Sequence, residues 1–179
     1  MRYRPHDYQR YAADFIKNHP IAALLLSMGL GKTSITLTAI NDLLFDSFEV
    51  SRVLVIAPIR VTRVWAEEIE KWDHLRGLTY SIAVGTAEER KTALSRKADI
   101  YIINRENVGW LIDEMPFDFD MIVIDELSSF KNHQTKRFKA LMKARPKAKH
   151  IVGLTGTPTG NGLMDLYAEF RLLDMGQRL

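Results

Sequence analysis

Residues 24–33, with the sequence LLLSMGLGKT, join an apolar run to a glycine-containing turn and the pair Lys32-Thr33. The apolar run predicts a buried strand, and the helical spacing of apolar residues after the turn predicts a helix. Gly29 and Gly31 let the backbone approach a polyphosphate without a Cβ clash, and the N–H groups and dipole of the helix start favour an anion. Lys32 can reach the outer phosphates, and the hydroxyl of Thr33 can ligate magnesium. The stretch therefore predicts a phosphate-binding loop.

The match to the common phosphate-loop pattern G-x-x-x-x-G-K-[ST] is incomplete, because Leu26 stands where the first glycine is expected. A bare G-K-T also occurs by chance, and the alternative is an ordinary glycine turn before a helix. The predicted strand and helix nevertheless lie on the two sides of the turn where nucleotide binding requires them. The choice between the alternatives depends on the rest of the chain.

The composition is typical of a globular protein, with 179 residues, 46% hydrophobic residues and 26% charged residues. The absence of cysteine excludes disulfides and cysteine-ligated zinc, and the five histidines show no spacing for a structural metal. No apolar run approaches the roughly 20 residues of a membrane span, and the first residues lack the apolar segment of a signal peptide. We therefore expect an intracellular, cytoplasmic protein without a membrane partner.

The net charge of +3 permits a nucleic-acid partner without requiring one. The basic excess is concentrated in residues 131–149, which contain lysine and arginine but no acidic residue. Such a run forms either a solvated helix face or a surface that faces phosphates, and both alternatives stay open.

Apolar segments alternate with segments of helical spacing along the whole chain. The predicted strands lie near residues 21–26, 52–58, 78–84, 99–104, 119–124 and 150–154. The predicted helices lie near residues 5–18, 33–44, 60–72, 86–95, 105–114, 136–143 and 163–174. This alternation predicts a single α/β domain, whose mainly parallel sheet is covered by helices on both faces. The aromatic residues expected in its core include Tyr8, Tyr11, Trp65 and Trp72.

Three polar clusters follow predicted strands, at residues 29–33, 125–126 and 155–158. Because ligands bind at the carboxyl ends of the strands in an open parallel sheet, we expect these clusters to meet at one edge. Lys32 would then offset phosphate charge, Thr33 with Asp125 would hold magnesium, and Glu126 would deprotonate the attacking water. The alternative for the two carboxylates is a solvated helix start, which the coincidence of three clusters disfavours.

The order of these motifs resembles the first motor lobe of a Swi/Snf-type superfamily 2 helicase-like ATPase. The resemblance covers nearly the whole chain and is carried by RPHDYQ (4–9), MGLGKT (28–33), VIAPIRVTRVWAEEIEKW (55–72), DELSSFKN (125–132) and LTGTP (154–158). It implies a RecA-like P-loop NTPase domain, with ATP and Mg²⁺ as cofactors. It also implies a duplex DNA partner that is contacted through its backbone. The compact spacing is most similar to phage and prophage members, which would place the protein in a host cell.

The resemblance implies a role for each matching residue. The residues that would bind ATP are Arg4, Gln9, Met28, Gly29, Leu30, Gly31, Lys32 and Thr33, with Arg4 and Gln9 at the adenine. The catalytic residues would be Lys32, Asp125 and Glu126, with Thr33 and Asp125 at the magnesium ion. The residues that would couple the nucleotide to the nucleic-acid track are Ser128, Thr155, Gly156 and Thr157. The residues that would face the nucleic-acid backbone are Arg60, Asn104, Arg105 and Lys131.

Three positions depart from the family pattern, and they affect coupling more than phosphate binding. Where this chain has Ser27, Ser128 and Gly160, the family often has an acidic residue, a histidine and a glutamine, respectively. Leu26 is not a departure of this kind, because loops of the MGLGKT type do not need the first glycine. Its presence favours the motor family over kinases.

Two other functions compete with the motor lobe. The first is a nucleic-acid-binding scaffold without turnover, which the presence of Lys32, Thr33, Asp125 and Glu126 disfavours. The second is a small P-loop kinase, which would need an arginine-rich lid that does not follow the sixth strand. The resemblance favours tracking along duplex DNA, although the residues alone do not separate tracking from strand unwinding.

A second lobe is absent from these 179 residues, so we expect the chain to be one lobe of a longer motor. In superfamily 2 motors the second lobe supplies arginines, and loss of such an arginine costs roughly 10³-fold or more in other phosphoryl-transfer enzymes. The 179-residue chain alone should therefore bind ATP weakly and hydrolyse it very slowly. Phosphate release measured with and without duplex DNA tests this expectation, and vigorous DNA-stimulated turnover would contradict it.

Overall fold

Six parallel strands form a single sheet. They are β1 Ile21–Leu25, β2 Val53–Ala57, β3 Tyr80–Ala83, β4 Ile100–Asn104, β5 Met121–Asp125 and β6 His150–Thr155. Their order across the sheet is β1-β6-β5-β2-β4-β3, and every neighbouring pair is parallel. The computed structural model describes residues 1–130, 132, 134–156, 163–175 and 177, with only the backbone described at 163–167.

A helix follows or precedes each strand, as the alternating pattern predicts. The helices are α1 Asp7–Asn18, α2 Lys32–Phe45, α3 Thr62–Lys71, α4 Ala87–Ser95, α5 Val108–Glu114, α6 Lys136–Ala144 and α7 Leu163–Asp174. Thr86 is the N-cap of α4, because its side chain accepts a hydrogen bond from the backbone N–H of Glu89. Within the described residues, no helix is long and apolar enough to cross a membrane.

The sheet is covered on both faces, which explains why its strands are continuous apolar runs. On one face α1, α2 and α3 pack against strand residues such as Val55 and Ile102. On the other face α4, α5, α6 and α7 pack against the alternate strand residues, such as Ile56 and Ile103. The two apolar layers therefore hold the sheet from both sides and leave only the ends of its strands for polar chemistry.

The prediction of core packing is wrong for the two tyrosines of α1. Tyr8 is 40% exposed and Tyr11 is 72% exposed, because α1 turns Ala12 and Ile16 toward the sheet instead. The prediction is confirmed for Trp65, which is fully buried in α3. Helical spacing alone does not separate the two sides of α1, because both carry apolar residues.

The strand register places the three polar clusters at the same edge of the sheet. Leu25 at the end of β1 pairs with Thr155 at the end of β6. Asp125 at the end of β5 pairs with Leu154, and Ala57 at the end of β2 pairs with Asn104. The carboxyl ends of five adjacent strands are therefore nearly level, as a ligand site in a parallel sheet requires.

Arg145 does not belong to either of the two surfaces predicted for the basic run. Its guanidinium is buried and donates hydrogen bonds of 3.0 and 2.7 Å to the carbonyl oxygen of Leu173 and one of 3.2 Å to that of Ala148. It therefore ties the end of α6 to the last turn of α7. The lysines of the run that the structure describes are exposed; they are Lys136, Lys139, Lys143, Lys147 and Lys149.

Replacement of Arg145 by methionine tests this structural role. Arg145→Met keeps apolar volume but leaves two buried carbonyl oxygens without their charged donor, so the free energy of unfolding should fall by about 2–3 kcal/mol. Urea denaturation followed by circular dichroism measures the change. The matched substitution Lys143→Met on the exposed side of α6 should change stability by no more than about 0.5 kcal/mol, and equal effects of the two would contradict the role.

Candidate nucleotide-binding and catalytic site

The glycine turn between β1 and α2 has the backbone conformation that a phosphate loop needs. Gly29 and Gly31 have φ angles of 83° and 84°, in the left-handed region that disfavours residues with a Cβ. A Cβ at Gly31 would also lie 2.5 Å from Nε2 of Gln9, so the side chain of Gln9 would have to move. Gly31 directly precedes α2, so the free N–H groups at the start of this helix face the loop.

The ammonium of Lys32 is held within the loop by backbone carbonyls. Nζ of Lys32 donates hydrogen bonds of 2.5 Å to the carbonyl oxygen of Leu26 and of 3.3 Å to that of Ser27. Phosphate oxygens are charged acceptors and form stronger hydrogen bonds with an ammonium than neutral carbonyls do. The side chain is therefore held where it can exchange these carbonyls for a polyphosphate.

Two side chains of α1 form hydrogen bonds with the backbone of the loop. Tyr8 donates its hydroxyl to the carbonyl oxygen of Leu30 at 2.9 Å, and Nε2 of Gln9 donates to the same oxygen at 3.3 Å. Oε1 of Gln9 accepts from the backbone N–H of His6 at 2.8 Å. The amide of Gln9 is thus engaged at both ends, and contact with adenine stays a prediction for Gln9 and for Arg4, which lines the same cleft. Sequence reasoning assigned Tyr8 to the core and missed its contact with the loop.

Asp125 is oriented by a residue that sequence reasoning assigned only to packing. The indole N–H of Trp65 donates a hydrogen bond of 3.0 Å to Oδ2 of Asp125. Burial raises the pKa of the Asp125 carboxyl, and the adjacent Glu126 charge also raises this pKa. The Trp65 hydrogen bond and the Lys32 charge oppose that rise. A partly buried carboxylate with an incompletely compensated charge is suited to bind a cation.

The residues at this edge fit a magnesium ion. The carboxylate of Asp125 and the hydroxyl of Thr33 both line the cleft, and both are the hard oxygen ligands that Mg²⁺ prefers. Among the described residues there is no group of three or more acidic, histidine or cysteine side chains that could hold a metal alone. Mg²⁺ usually takes its remaining ligands from phosphates and water, so a site with few protein ligands is appropriate.

Glu126 faces two arginines that the sequence assigned to nucleic acid. Its Oε1 accepts a hydrogen bond of 2.8 Å from Nη2 of Arg60, and its Oε2 lies 3.6 Å from Nη1 of Arg105. The backbone of Glu126 is left-handed, with a φ of 56°. This conformation ends β5 abruptly. Contact of both arginines with nucleic acid stays a prediction, but their pairing with the proposed base was not foreseen.

The remaining predicted residues divide between the cleft and its border. Ser128, Thr155 and Gly156 line the cleft, and a Cβ at Gly156 would lie 3.5 Å from the carbonyl oxygen of Leu26. The third cluster therefore adjoins the phosphate loop, as expected. Lys131, Thr157 and Gly160 lie outside the described residues.

Asn104 organises the turn after β4. Its side chain is buried, and its Nδ2 donates to Glu106 at 3.1 Å while its Oδ1 accepts from Nδ2 of Asn107 at 2.7 Å. Both ends of the amide are thus used within the turn that carries Arg105. Direct contact between Asn104 and nucleic acid stays a prediction.

One open cleft of about 1160 Å³ gathers the phosphate loop, the carboxylates and the first residues of the chain. The lining residues that sequence reasoning did not select as site residues include Tyr3, His6, Val64, Glu68, Lys71 and Trp72. Tyr3 stacks on His74 at 4.5 Å and meets Trp72 edge to face at 5.2 Å. These contacts join residues about 70 positions apart in sequence, so local spacing carries no signal for them.

The raised pKa of Asp125 makes a prediction about stability. The folded state holds the Asp125 proton more tightly than the unfolded state, whose ordinary value is 3.8. The ionised carboxyl therefore destabilises the fold as pH rises through this range, with the full penalty at neutral pH. Asp125→Asn stays neutral and keeps an oxygen for Trp65. It should raise the melting temperature at neutral pH without Mg²⁺ or nucleotide, by about 2–4 °C for each kcal/mol gained.

Thermal melts from pH 4 to pH 8 measure this gain, which should shrink as the pH falls. The control is Asp113→Asn, which neutralises an exposed carboxylate on α5 and should leave the melting temperature nearly unchanged at each pH. A lower melting temperature for Asp125→Asn than for the unaltered protein at neutral pH would contradict the assignment.

Comparison with known proteins gives consistent matches. A family model described as SNF2-related domain matches residues 14–177. Protein p41 of Acyrthosiphon pisum secondary endosymbiont phage 1 is 36% identical over 186 residues, covering 99% of this chain and 40% of the relative. The SWI/SNF-related matrix-associated actin-dependent regulator of chromatin subfamily A-like protein 1 of Xenopus tropicalis is 30% identical over 164 residues, covering 90% of this chain and 16% of the relative.

The fold is similar to that of a solved motor core. The Sulfolobus solfataricus SWI2/SNF2 ATPase core, solved in complex with dsDNA, matches with a TM-score of 0.83 and 29% identity over 97% of this chain and 36% of the other. This match confirms the predicted RecA-like fold, and the chain spans less than half the length of each of these relatives. By its family match, its fold and its ordered motifs, the chain belongs to the SNF2-related domain family.

Proposed function

We propose that this chain is the ATP-binding lobe of a DNA-dependent ATPase, a helicase-like translocase that couples ATP hydrolysis to movement along duplex DNA. The observation that carries the proposal is the convergence of Lys32, Thr33, Asp125 and Glu126 on one cleft, from segments up to 94 positions apart (32 to 126). A scaffold that only binds nucleic acid has no need for this convergence. The solved motor core that this chain resembles was bound to dsDNA, which supports the DNA partner.

In this proposal each residue of the cleft has a chemical task in phosphoryl transfer. The N–H groups of the loop and the ammonium of Lys32 bind the β- and γ-phosphates and offset their charge. Thr33 and Asp125 hold magnesium, which, when bound, neutralises charge that develops on the phosphate oxygens. Glu126 accepts a proton from the water that attacks the γ-phosphorus, while the water oxygen bonds to phosphorus and ADP leaves.

In this proposal a second lobe completes the nucleotide site. The cleft is open to solvent, and the relatives that the chain matches are more than twice its length. We propose that a second motor lobe closes over the nucleotide and supplies arginine to the transition state. DNA phosphates would be contacted without reading of base sequence.

Measurement of ATP hydrolysis by this lobe joined to its second lobe tests the function. Duplex DNA should stimulate hydrolysis, and Lys32→Ala or Glu126→Gln should lower the stimulated rate by roughly 10²- to 10⁴-fold. Glu67→Gln removes an exposed carboxylate from α3 and should leave the rate nearly unchanged.

Two other results would overturn the proposal. Binding of duplex DNA without measurable hydrolysis would support the scaffold, and hydrolysis that ignores DNA but needs a small acceptor would support a kinase. A retained rate in Glu126→Gln would remove Glu126 from the role of base while leaving the other assignments to stand.

A further inference from the structure

Three neighbouring strands each present one charged residue just beyond their carboxyl ends. Glu126 follows β5, Arg60 lies in the turn after β2, and Arg105 follows β4. These strands are adjacent in the order β5-β2-β4, whereas the strand of the phosphate loop lies on the other side of β5. Glu126 therefore stands between the nucleotide side of the sheet and the two arginines.

Both oxygens of the Glu126 carboxylate face an arginine nitrogen. Oε1 accepts the 2.8 Å hydrogen bond from Arg60, and Oε2 lies 3.6 Å from Arg105. Each contact takes one of the acceptor positions of the carboxylate at which a water molecule could otherwise donate its hydrogen. The arrangement thus opposes the task that the proposed function gives to this residue.

The two arginines differ in how firmly they are held. The side chain of Arg60 is 68% exposed, while that of Arg105 is 23% exposed and also pairs with Glu106 through its Nε at 3.2 Å. Arg60 is therefore open to an external anion, and Arg105 is partly preoriented by its own turn. Guanidinium groups bind phosphate as readily as carboxylate, through the same planar set of donors.

We propose that Arg60 and Arg105 are positioning residues for Glu126, for which the phosphates of a nucleic-acid backbone compete. Without nucleic acid the arginines engage the carboxylate. When phosphates bind the arginines, both oxygens of Glu126 are free to accept a proton from water. The inference rests on the proposed function and adds to it the physical link through which nucleic acid would stimulate hydrolysis.

Because the coupling is a competition, it acts in both directions. If nucleic acid releases Glu126, then removal of the Glu126 charge has to strengthen nucleic-acid binding. This consequence needs no ATP and no turnover, so it can be measured on the chain described here. An exposed ion pair of this kind corresponds to a change of about two- to fivefold in affinity.

Fluorescence anisotropy with a labelled duplex at low salt measures this effect. Glu126→Gln should bind the duplex about two- to fivefold more tightly than the unaltered chain. Glu67→Gln, with the same charge change at an exposed position of α3, should show a smaller gain. In a chain with Arg60→Ala and Arg105→Ala, the additional Glu126→Gln substitution should give no gain beyond that control, whereas Arg60→Lys should preserve the gain.

The outcomes separate this inference from the proposed function. The inference is overturned if Glu126→Gln binds the duplex no more tightly than the unaltered chain. It is also overturned if Glu126→Gln gives the same gain in affinity in the chain with Arg60→Ala and Arg105→Ala. Either result leaves the proposed function standing. Failure of the folded, unaltered chain to bind duplex at any salt overturns the DNA partner and the inference with it. Thermal melts of every variant identify those that are folded.

Hydrolysis by the lobe joined to its second lobe provides the second readout. Arg60→Ala with Arg105→Ala should raise hydrolysis in the absence of DNA and reduce the stimulation by DNA. A purely structural role for the arginines predicts equal loss of both rates. Such equal loss would overturn the inference.

Discussion

The level register of the parallel strands is the constraint on which the site depends. Leu25 pairs with Thr155, Asp125 pairs with Leu154, and Ala57 pairs with Asn104. The residues that directly follow these strands therefore lie at the same edge of the sheet. Because apolar layers cover both faces, this edge is where charged side chains can meet without burial in the core. A slip of one residue in any ladder would turn these side chains to the other face of the sheet.

At this edge two consecutive carboxylates have different environments. Asp125 still belongs to β5, accepts the indole N–H of Trp65 and is mostly withdrawn from water, which raises its pKa. Glu126 has left the strand with a left-handed backbone and faces two arginines. The backbone conformation at Glu126 is uncommon for a residue with a Cβ and costs about 1–2 kcal/mol. It separates the two acids, so that one can serve a metal and the other a water molecule.

Helix α1 stabilises the phosphate loop from outside the sheet. Tyr8 and Gln9 donate to one carbonyl of the loop, and the side chain of Gln9 fills the space that a Cβ at Gly31 would need. The apolar periodicity of α1 correctly predicts a helix, but it wrongly places Tyr8 in the core. A tyrosine has an apolar ring that can pack in a core and a hydroxyl that can form a hydrogen bond at the surface. Only its tertiary neighbours determine which of these it does.

The sequence by itself determined the alternation of strands and helices, the glycine loop, the acidic pair after β5 and the parallel sheet, because these depend on local periodicity and turn chemistry. It also indicated the family, because the order of the motifs can be recognised without knowledge of tertiary contacts. Only the tertiary structure decided that Trp65 orients Asp125, that Arg145 is a buried tie, and that Arg60 and Arg105 pair with Glu126. Such pairs join residues 21–66 positions apart, and the order of strands across the sheet, which local patterns do not encode, is what brings them within reach.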